Sequence, residues 1–302
     1  MAMAPFTISP KSNEGLMKFD IKSTEDFIRL AKEAIDQENQ GMTKVPSNQA
    51  DPRNIPREGA EIASLAAMHF FSFLCKKTNI SDMDPIFNDI CHVDTSLITA
   101  MEDGGRYYGG IYSLNRIIQL SQENSKLADL PGFQRALPAI KRQRQTSIQY
   151  FSRHIDGVIR FLQNQLTFVS DPRSISPNQL NPKNIPCENA RELEECGCKI
   201  HKLYCKKAQI TDSKFHITEP CFQQKFLFPA MDAGIKYYQC ILCLNKIVEL
   251  SQTNDTLTNL TEFKEALPTI EKLRETTIKA FRFHIDAVAV FLHKQMAMVS
   301  QL

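Results

Sequence analysis

The sequence lacks an excess of charge of either sign. Lys and Arg together number 36 against 34 Asp and Glu, which gives a formal net charge of +2. Proteins that bind nucleic acid through their overall electrostatic field carry a strong basic excess. The charge balance therefore argues against general nucleic-acid binding.

Long hydrophobic runs are also missing. The most apolar stretch, residues 287–292, ends at His293 and Lys294, whereas a transmembrane helix needs about 20 consecutive apolar residues. The N-terminal segment MAMAPFTISPKSNEG does not have the charged and apolar regions of a secretory signal. The nine cysteines are an odd set without the spacing of a small secreted disulfide framework. We therefore expect a cytoplasmic protein with reduced cysteines and no transmembrane segment.

Sequence signatures of catalysis are absent as well. The chain contains no Gly-x-Ser-x-Gly motif, no phosphate-binding glycine-rich loop and no Glu-x-x-His pair of the kind found in di-iron helical bundles. His154 and Asp156 are close in sequence, but two residues apart on a helix means about 200° around its axis. Their side chains are therefore expected to point to opposite faces, which argues against a His–Asp catalytic pair.

What the sequence does contain is an internal duplication. Residues 52–170 align with residues 182–300 at a constant offset of 130 without a gap, and 46 of the 119 aligned positions are identical. The contiguous matches include Asn54-Ile-Pro56 with Asn184-Ile-Pro186, Tyr107-Tyr108 with Tyr237-Tyr238, and His154-Ile-Asp156 with His284-Ile-Asp286. Chance does not produce such a match, so we expect two copies of one structural unit.

Apolar residues recur at helical spacing within each copy. In the first copy this spacing predicts helices over about 56–77 and 101–122, and a long helix that begins at Pro138, a residue type tolerated in a first helical turn. A short helix over 129–137 and a turn near 83–90 complete the unit. The second copy repeats the pattern, and no segment is convincing as a strand.

A further amphipathic helix precedes the first copy. Ser23 or Thr24 can cap a helix that Gly41 would close. We therefore predict an all-α fold of two tandem 130-residue helical repeat units, arranged as stacked helical bundles or a short α-array, with residues 22–40 as an N-terminal capping helix. The expected organisation is a flexible segment 1–21, the capping helix with the first repeat in 22–170, and a connector with the second repeat in 171–302.

Several polar residues recur in both copies and are candidates for a shared site. They are Tyr108, Asn115, Gln122, Arg144 and His154 in the first copy, and Tyr238, Asn245, Gln252, Arg274 and His284 in the second. Asn115 and Gln122 lie on the apolar face of their predicted helix, and buried amides need hydrogen-bond partners. Arg144 and His154 of the long helix can provide them. We expect a polar layer that fixes the register of two helices, with a ligand-binding or catalytic site as the alternative.

The second copy adds a set of possible metal ligands. Cys198, His201 and Cys205 share one helix face, and Cys240 and Cys243 lie one turn apart on the next helix, so together they could surround zinc. The equivalent positions of the first copy hold Met68, Phe71, Cys75, Gly110 and Ser113. Because a reduced cysteine also packs as a small hydrophobic residue, core packing is favoured over a zinc or thiol site.

One difference between the copies concerns charge. Lys141, Arg142, Arg144 and Arg153 occur in the first copy without an acidic residue among them, whereas two glutamates interrupt the equivalent stretch of the second copy. Such a basic stripe is a solvated face or a surface for an acidic peptide, RNA or anionic lipid.

Together these features favour a non-enzymatic scaffold or adaptor that binds a protein partner through grooves between helices and needs no cofactor. Two alternatives remain open, because a fold does not define a function. One is a metal- or thiol-dependent protein that uses the Cys/His set of the second copy, with zinc as its cofactor. The other is a helical-bundle enzyme or small-ligand binder that uses His154 and His284.

Overall fold

The described part of the chain is almost entirely α-helical. The computed structural model describes residues 21–43, 53, 55–80, 84–212 and 218–301. The helices are α1 (Thr24–Thr43), α2 (Ala60–Thr78), α3 (Asp84–Glu123), α4 (Ser125–Ala128), α5 (Pro131–Ser170), α6 (Ala190–Ala208), α7 (Thr218–Thr253), α8 (Asp255–Asn259) and α9 (Thr261–Ser300). These residues contain no strand, which confirms the predicted all-α fold. None of the helices among them has the length and apolar character needed to cross a membrane.

The two long helices begin earlier than predicted. α5 starts at Pro131, and Pro138, the predicted first residue, lies inside it; α9 starts at the equivalent position. An internal proline removes a backbone hydrogen bond and costs about 3 kcal/mol. Phe133 and Ile140, on either side of this proline, are buried in one hydrophobic cluster, which keeps the helix continuous. The short helix predicted over 129–137 is therefore the first part of α5.

Two other helices are longer than predicted. α3 spans 40 residues, so the turn expected near 83–90 and the helix expected over 101–122 belong to one helix. α1 continues through Gly41 to Thr43. A single glycine costs only about 1 kcal/mol inside a helix and does not by itself end one.

The helices of the two copies pack across the chain. α2 packs against α7, and α6 packs against α3, whereas α5 and α9 contact each other. Each copy therefore contributes one helix to a bundle formed with the other copy. The boundary between residues 170 and 171 does not separate two hydrophobic cores, and this arrangement differs from two stacked bundles or a linear array.

The buried apolar residues that the structure describes form three clusters. The central one joins the C-terminal halves of α5 and α9 with α3 and α7. One end cluster is built from α1, α2, α7 and α9, and the other from α3, α5 and α6. The two end clusters occupy equivalent positions, but only one of them contains α1. The sequence predicted that the N-terminal helix covers the end of the first copy. It packs instead between α2 of the first copy and α9 of the second.

Candidate functional site

The polar layer expected between helices consists of two separate sets of contacts. In the first set, Arg144 of α5 donates a hydrogen bond from Nε to Asn115 Oδ1 of α3. Asn115 Nδ2 donates to the carbonyl oxygen of Val299 at 2.9 Å. Arg144 Nη2 donates to the carbonyl oxygens of Val299 and Ser300 at 3.2 and 3.1 Å. These carbonyls lie in the last turn of α9, where helices lack intrahelical donors.

The second copy repeats the Asn–Arg pair at the end of α5. Arg274 Nε donates to Asn245 Oδ1, and Asn245 Nδ2 donates to the carbonyl oxygen of Val169 at 2.9 Å. A cation at a helix C-terminus also meets the negative end of the helix dipole. Each Asn–Arg pair therefore caps the long helix of the opposite copy, which is a structural role.

Gln122 and Gln252 take no part in these contacts. Both side chains are exposed, so their predicted position on a buried face is wrong. Asn115 already contacts the last turn of α9. Gln122 lies two turns further along α3, at a level that α9 does not reach. Its amide therefore faces solvent.

The second set of contacts holds the turn that leads into α6. His154 Nδ1 lies 2.7 Å from the carbonyl oxygen of Pro186. Because a carbonyl only accepts hydrogen bonds, Nδ1 carries the imidazole proton. Tyr107 donates its hydroxyl to the carbonyl oxygen of Glu188 at 2.6 Å, and its ring centroid lies 5.5 Å from that of His154. The candidate selected from the sequence was the neighbouring Tyr108. Both tyrosines recur in the second copy, so the repeat alone does not show that Tyr107 makes this hydrogen bond.

The equivalent residues hold the turn that leads into α2. His284 Nδ1 lies 2.6 Å from the carbonyl oxygen of Pro56, and Tyr237 donates to the carbonyl oxygen of Glu58 at 2.8 Å. His154 and Tyr107 thus fix the second copy, and their equivalents fix the first. The repeated His, Tyr and Asn-Ile-Pro residues encode one reciprocal contact between the copies.

Burial sets the protonation state of the two histidines. It lowers the pKa of His154 and lowers that of His284 to about 4, so both imidazoles are neutral at pH 7 and Nε2 is the only basic atom. A Cβ added at Gly104 would lie 2.9 Å from His154 Nε2, and one at Gly234 would lie 3.1 Å from His284 Nε2. The glycines let both rings pack against a helix, which leaves no space for a substrate at Nε2.

The structure also places Cys187 beside His154, a contact that the repeat does not predict. Cys187 Sγ lies 3.8 Å from His154 Nδ1. Burial, together with the neighbouring Asp103, raises the pKa of the Cys187 thiol to about 12. The thiol is therefore protonated, and Nδ1 already donates to Pro186, so the imidazole does not activate this cysteine. The available signal was the position of Cys187 directly after the repeated Asn-Ile-Pro turn.

The five candidate zinc ligands are not brought together, which corrects that hypothesis. Because α6 packs against α3 and α7 packs against α2, Cys198, His201 and Cys205 lie at one end of the molecule and Cys240 and Cys243 at the other. Burial raises the pKa of the Cys240 and Cys243 thiols, that of Cys243 to about 12. Within the described ranges, no group of three or more His, Cys, Asp or Glu side chains is arranged to hold a metal ion.

His201 and Cys205 instead belong to a buried network between α3 and α6. Arg116 donates two hydrogen bonds to the Asp212 carboxylate, from Nε at 2.9 Å and from Nη2 at 2.8 Å. His201 Nε2 lies 3.2 Å from Asp212 Oδ2 and 3.6 Å from Cys205 Sγ. In a nucleophilic triad the nucleophile and the orienting carboxylate contact different nitrogens of the imidazole. Here thiol and carboxylate share Nε2, and burial raises the pKa of Cys205, so the network links helices.

A polar cleft of about 480 Å³ lies between α5 and the connector that leads to α6. The α5 side is formed by Arg153, Asp156, Arg160 and Asn164, and the connector side by Gln179, Asn181 and Asn184. Neither His154 nor His284 lines this cleft. This cleft is therefore not the open cavity beside the histidines that would favour catalysis or small-ligand binding.

The basic stripe predicted on α5 is divided among different environments. Arg144 caps the end of α9, and Arg153 lines the polar cleft. Lys141 and Arg142 are exposed on the N-terminal half of α5. Only these two remain as a basic surface of the kind that the sequence suggested.

α1 lies in a groove between α2 and α9 and shows how this fold holds an amphipathic helix. Phe27 stacks on Phe70 of α2 with ring centroids 4.0 Å apart. On the other side, the Thr277 hydroxyl of α9 lies 2.9 and 3.2 Å from the two carboxyl oxygens of Glu38. Burial raises the pKa of Glu38 to about 8. α1 is therefore fixed by apolar packing along one side and one buried polar contact.

The equivalent groove between α5 and α6 is open by comparison. Four positions that are 0% exposed beneath α1 are Ala66, Phe70, Ala266 and Leu273. Their equivalents, all partly exposed, are Cys196, Ile200, Ala136 and Gln143. Leu203, the equivalent of Phe73, is 45% exposed. We call the surface lined by these five equivalents the α5–α6 groove.

Comparison with known proteins assigns no function to this geometry. No protein-family model matches the chain, and no curated protein or solved structure is found to be similar to it.

Proposed function

We propose that this protein is a non-enzymatic helical scaffold that binds a protein partner by holding a helix of the partner between two of its own helices. The observation that carries the proposal is α1 itself. Its buried stripe of Phe27, Leu30, Ala31, Ala34 and Ile35 packs into the groove between α2 and α9. Grooves between helices accept partner helices through apolar residues at this spacing.

The state of the buried polar groups also supports a scaffold. A general base must reach the proton that it abstracts, whereas His154 and His284 are neutral and packed against glycines. The Asn–Arg pairs use their hydrogen bonds to cap helices. These groups fix the relative positions of helices, and rigid helices preserve the shape of a binding groove.

The proposal includes a cytoplasmic location. Thiols remain reduced in that compartment, and no disulfide joins the cysteines within the described ranges. Burial raises the pKa of Cys187, Cys240 and Cys243, and protonated thiols resist oxidation. The chemistry of these side chains is that of packing residues.

Site-specific photo-crosslinking in cells tests the scaffold proposal. A benzophenone amino acid replaces, one at a time, Thr269 beside α1, Asn164 in the polar cleft and Leu203 in the α5–α6 groove. Exposed Gln149 and Asp286 serve as control positions. We expect a protein adduct from at least one of these three positions and none from the two control positions.

Peptide mapping of the adduct identifies the segment of the partner that is bound. A helical segment with an apolar stripe would support the proposal. Failure to obtain an adduct at any of the groove positions, or equal adducts at groove and control positions, would contradict it.

A further inference from the structure

The two ends of the molecule have the same framework but different cover. α2 packs on α7, α8 and α9, and α6 packs on their equivalents α3, α4 and α5. α1 adds a further helix to the first end, where it lies across α2 and α9. In the part of the chain that the structure describes, no helix lies across α6 and α5 in the same way. The exposure of the α5–α6 groove follows from this difference.

We propose that the α5–α6 groove binds an acidic amphipathic helix of a protein partner. The inference rests on the proposed scaffold function and specifies the site and the chemistry of the partner. Three features of the groove carry it: its equivalence to the groove that holds α1, the apolar ridge of α6, and the charge of the surrounding surface.

The apolar ridge has the spacing that a helix requires. Cys196, Ile200 and Leu203 follow each other at steps of four and three along α6, so they line one face. The equivalent residues of α2 are Ala66, Phe70 and Phe73, and α1 packs on that ridge. A helix with apolar residues at steps of three and four can pack on the α6 ridge in the same manner.

The charge around the groove favours an acidic helix. Arg135 of α5, which directly precedes the groove residue Ala136, stands at the position where α9 carries Glu265. Arg142 is the equivalent of Lys272, which lies beside Asp36 of α1 in one shallow cavity. On α6, the exposed lysines are Lys199, Lys202, Lys206 and Lys207. α1, the helix already held by such a groove, carries Glu25, Asp26, Glu33 and Asp36 against Arg29 and Lys32, whereas its buried Glu38 is protonated.

The groove also differs from the one that holds α1, which favours a separate protein over α1 of a second copy. Ile200 replaces Phe70 and therefore removes the ring on which Phe27 stacks. Gln143 replaces Leu273, which is 0% exposed in the other end cluster. The occupant therefore shares the acidic and amphipathic character of α1 but not its exact residues.

A peptide-binding experiment with the full chain tests this proposal. The probe is a fluorescein-labelled peptide of residues 22–43 with the substitution Phe27→Leu, which suits the smaller Ile200. Saturable binding by fluorescence anisotropy is expected for the wild type. Arg142→Glu combined with Lys207→Glu should weaken binding by about tenfold at low salt, because Arg142 directly precedes Gln143 on α5 and Lys207 lies one turn beyond Leu203 on α6. Leu203→Glu should weaken binding at least as much, because it places a charge on the apolar ridge.

A matched control variant separates this site from general charge effects. Arg282→Glu combined with Lys294→Glu makes the same change of charge at exposed positions of α9. This variant should bind within about twofold of the wild type, since long-range screened charges contribute little. Circular dichroism and urea unfolding establish that every variant is folded.

Several outcomes would overturn the proposal. Absence of saturable binding of the peptide to the wild type would do so. An effect of the charge reversals without an effect of Leu203→Glu would also do so, because it indicates unspecific attraction of the acidic peptide. A wild-type dimer in sedimentation that Leu203→Glu dissociates would identify a second copy as the occupant. Crosslinks at Thr269 or Asn164 combined with no groove-dependent peptide binding would reject this site and retain the scaffold.

Discussion

Glu38 makes the packing of α1 dependent on pH. Its side chain is 1% exposed and contacts the hydroxyl of Thr277, and burial raises its pKa from 4.5 to about 8. Between these two values the folded protein retains a proton that the unfolded chain releases. The free energy of unfolding therefore falls as pH rises through this window.

The size of this effect follows from the two pKa values. At 1.36 kcal/mol for each unit of pKa, the rise from 4.5 to about 8 corresponds to a loss of about 5 kcal/mol between pH 4.5 and 8, of which about 3 kcal/mol is lost by pH 7. Glu38→Gln removes the titration and keeps an oxygen that accepts the hydrogen bond of Thr277. The variant should therefore approach the wild type in stability at pH 5 and exceed it by several kcal/mol, of order 3 to 5, at pH 8.

Urea unfolding followed by circular dichroism at pH 5, 6, 7 and 8 measures this difference. The histidines titrate equally in both proteins, so the difference between the two curves isolates Glu38. Glu33→Gln changes an exposed carboxyl of the same helix and should give a curve parallel to that of the wild type. Parallel curves for Glu38→Gln would refute the assignment of a buried, protonated carboxyl.

Three further predictions concern the repeated polar residues and their packing. Gly104→Ala should lower the free energy of unfolding by about 1 to 3 kcal/mol, because the new Cβ would lie 2.9 Å from the imidazole of His154. Gly109→Ala has no neighbour closer than 3.5 Å and should be neutral or stabilising in the same urea titration. Asn115→Ala should cost about 1 to 3 kcal/mol and should couple to Arg144→Ala by at least about 0.5 kcal/mol in a double-mutant cycle; additive effects would contradict the shared cap. Burial lowers the pKa of His284 to about 4, so the unfolded chain takes up a proton before the folded protein does as pH falls below 6.5. The free energy of unfolding should therefore fall by about 3 kcal/mol towards pH 4, and His284→Gln should abolish that loss.

The helices could be predicted because burial imposes a period on the sequence. The apolar stripe of α1 and the repeated stripes of the two copies identify helix faces directly. Helix ends were less predictable. Pro138 resembles a helix start, but Phe133 and Ile140 pack in one cluster on both sides of it, and only the tertiary structure shows that this packing outweighs the missing backbone hydrogen bond.

The crossing of the two copies could not be predicted from the repeat. Identity at an offset of 130 makes the surface of α3 that receives a helix chemically similar to that of α7. α2 could therefore pack on either one by pattern alone. His154 and its partner carbonyl at Pro186 illustrate the point, because Pro56 carries an identical carbonyl in the first copy.

The candidate site was predicted in part for the same reason. Asn115 and Arg144 contact each other, whereas His154, which was expected to bind an amide of the neighbouring helix, contacts the carbonyl oxygen of Pro186. The helices that supply their partners follow from the crossing, so Gln122 was placed on a buried face although α9 ends before reaching it. The cysteines of α6 and α7 were grouped because the helices are consecutive, yet consecutive helices here lie at opposite ends of the molecule.

The reciprocal exchange of α2 and α6 is the arrangement that two identical subunits make around a twofold axis. In a homodimer every substitution occurs in both subunits, whereas two copies joined in one chain can change independently. A substitution such as Gln143 for leucine would alter both ends of a homodimer at once, but in the fused molecule it alters one end while Leu273 continues to support α1 at the other. Duplication has thus given this protein one end free to specialise and another that preserves its architecture.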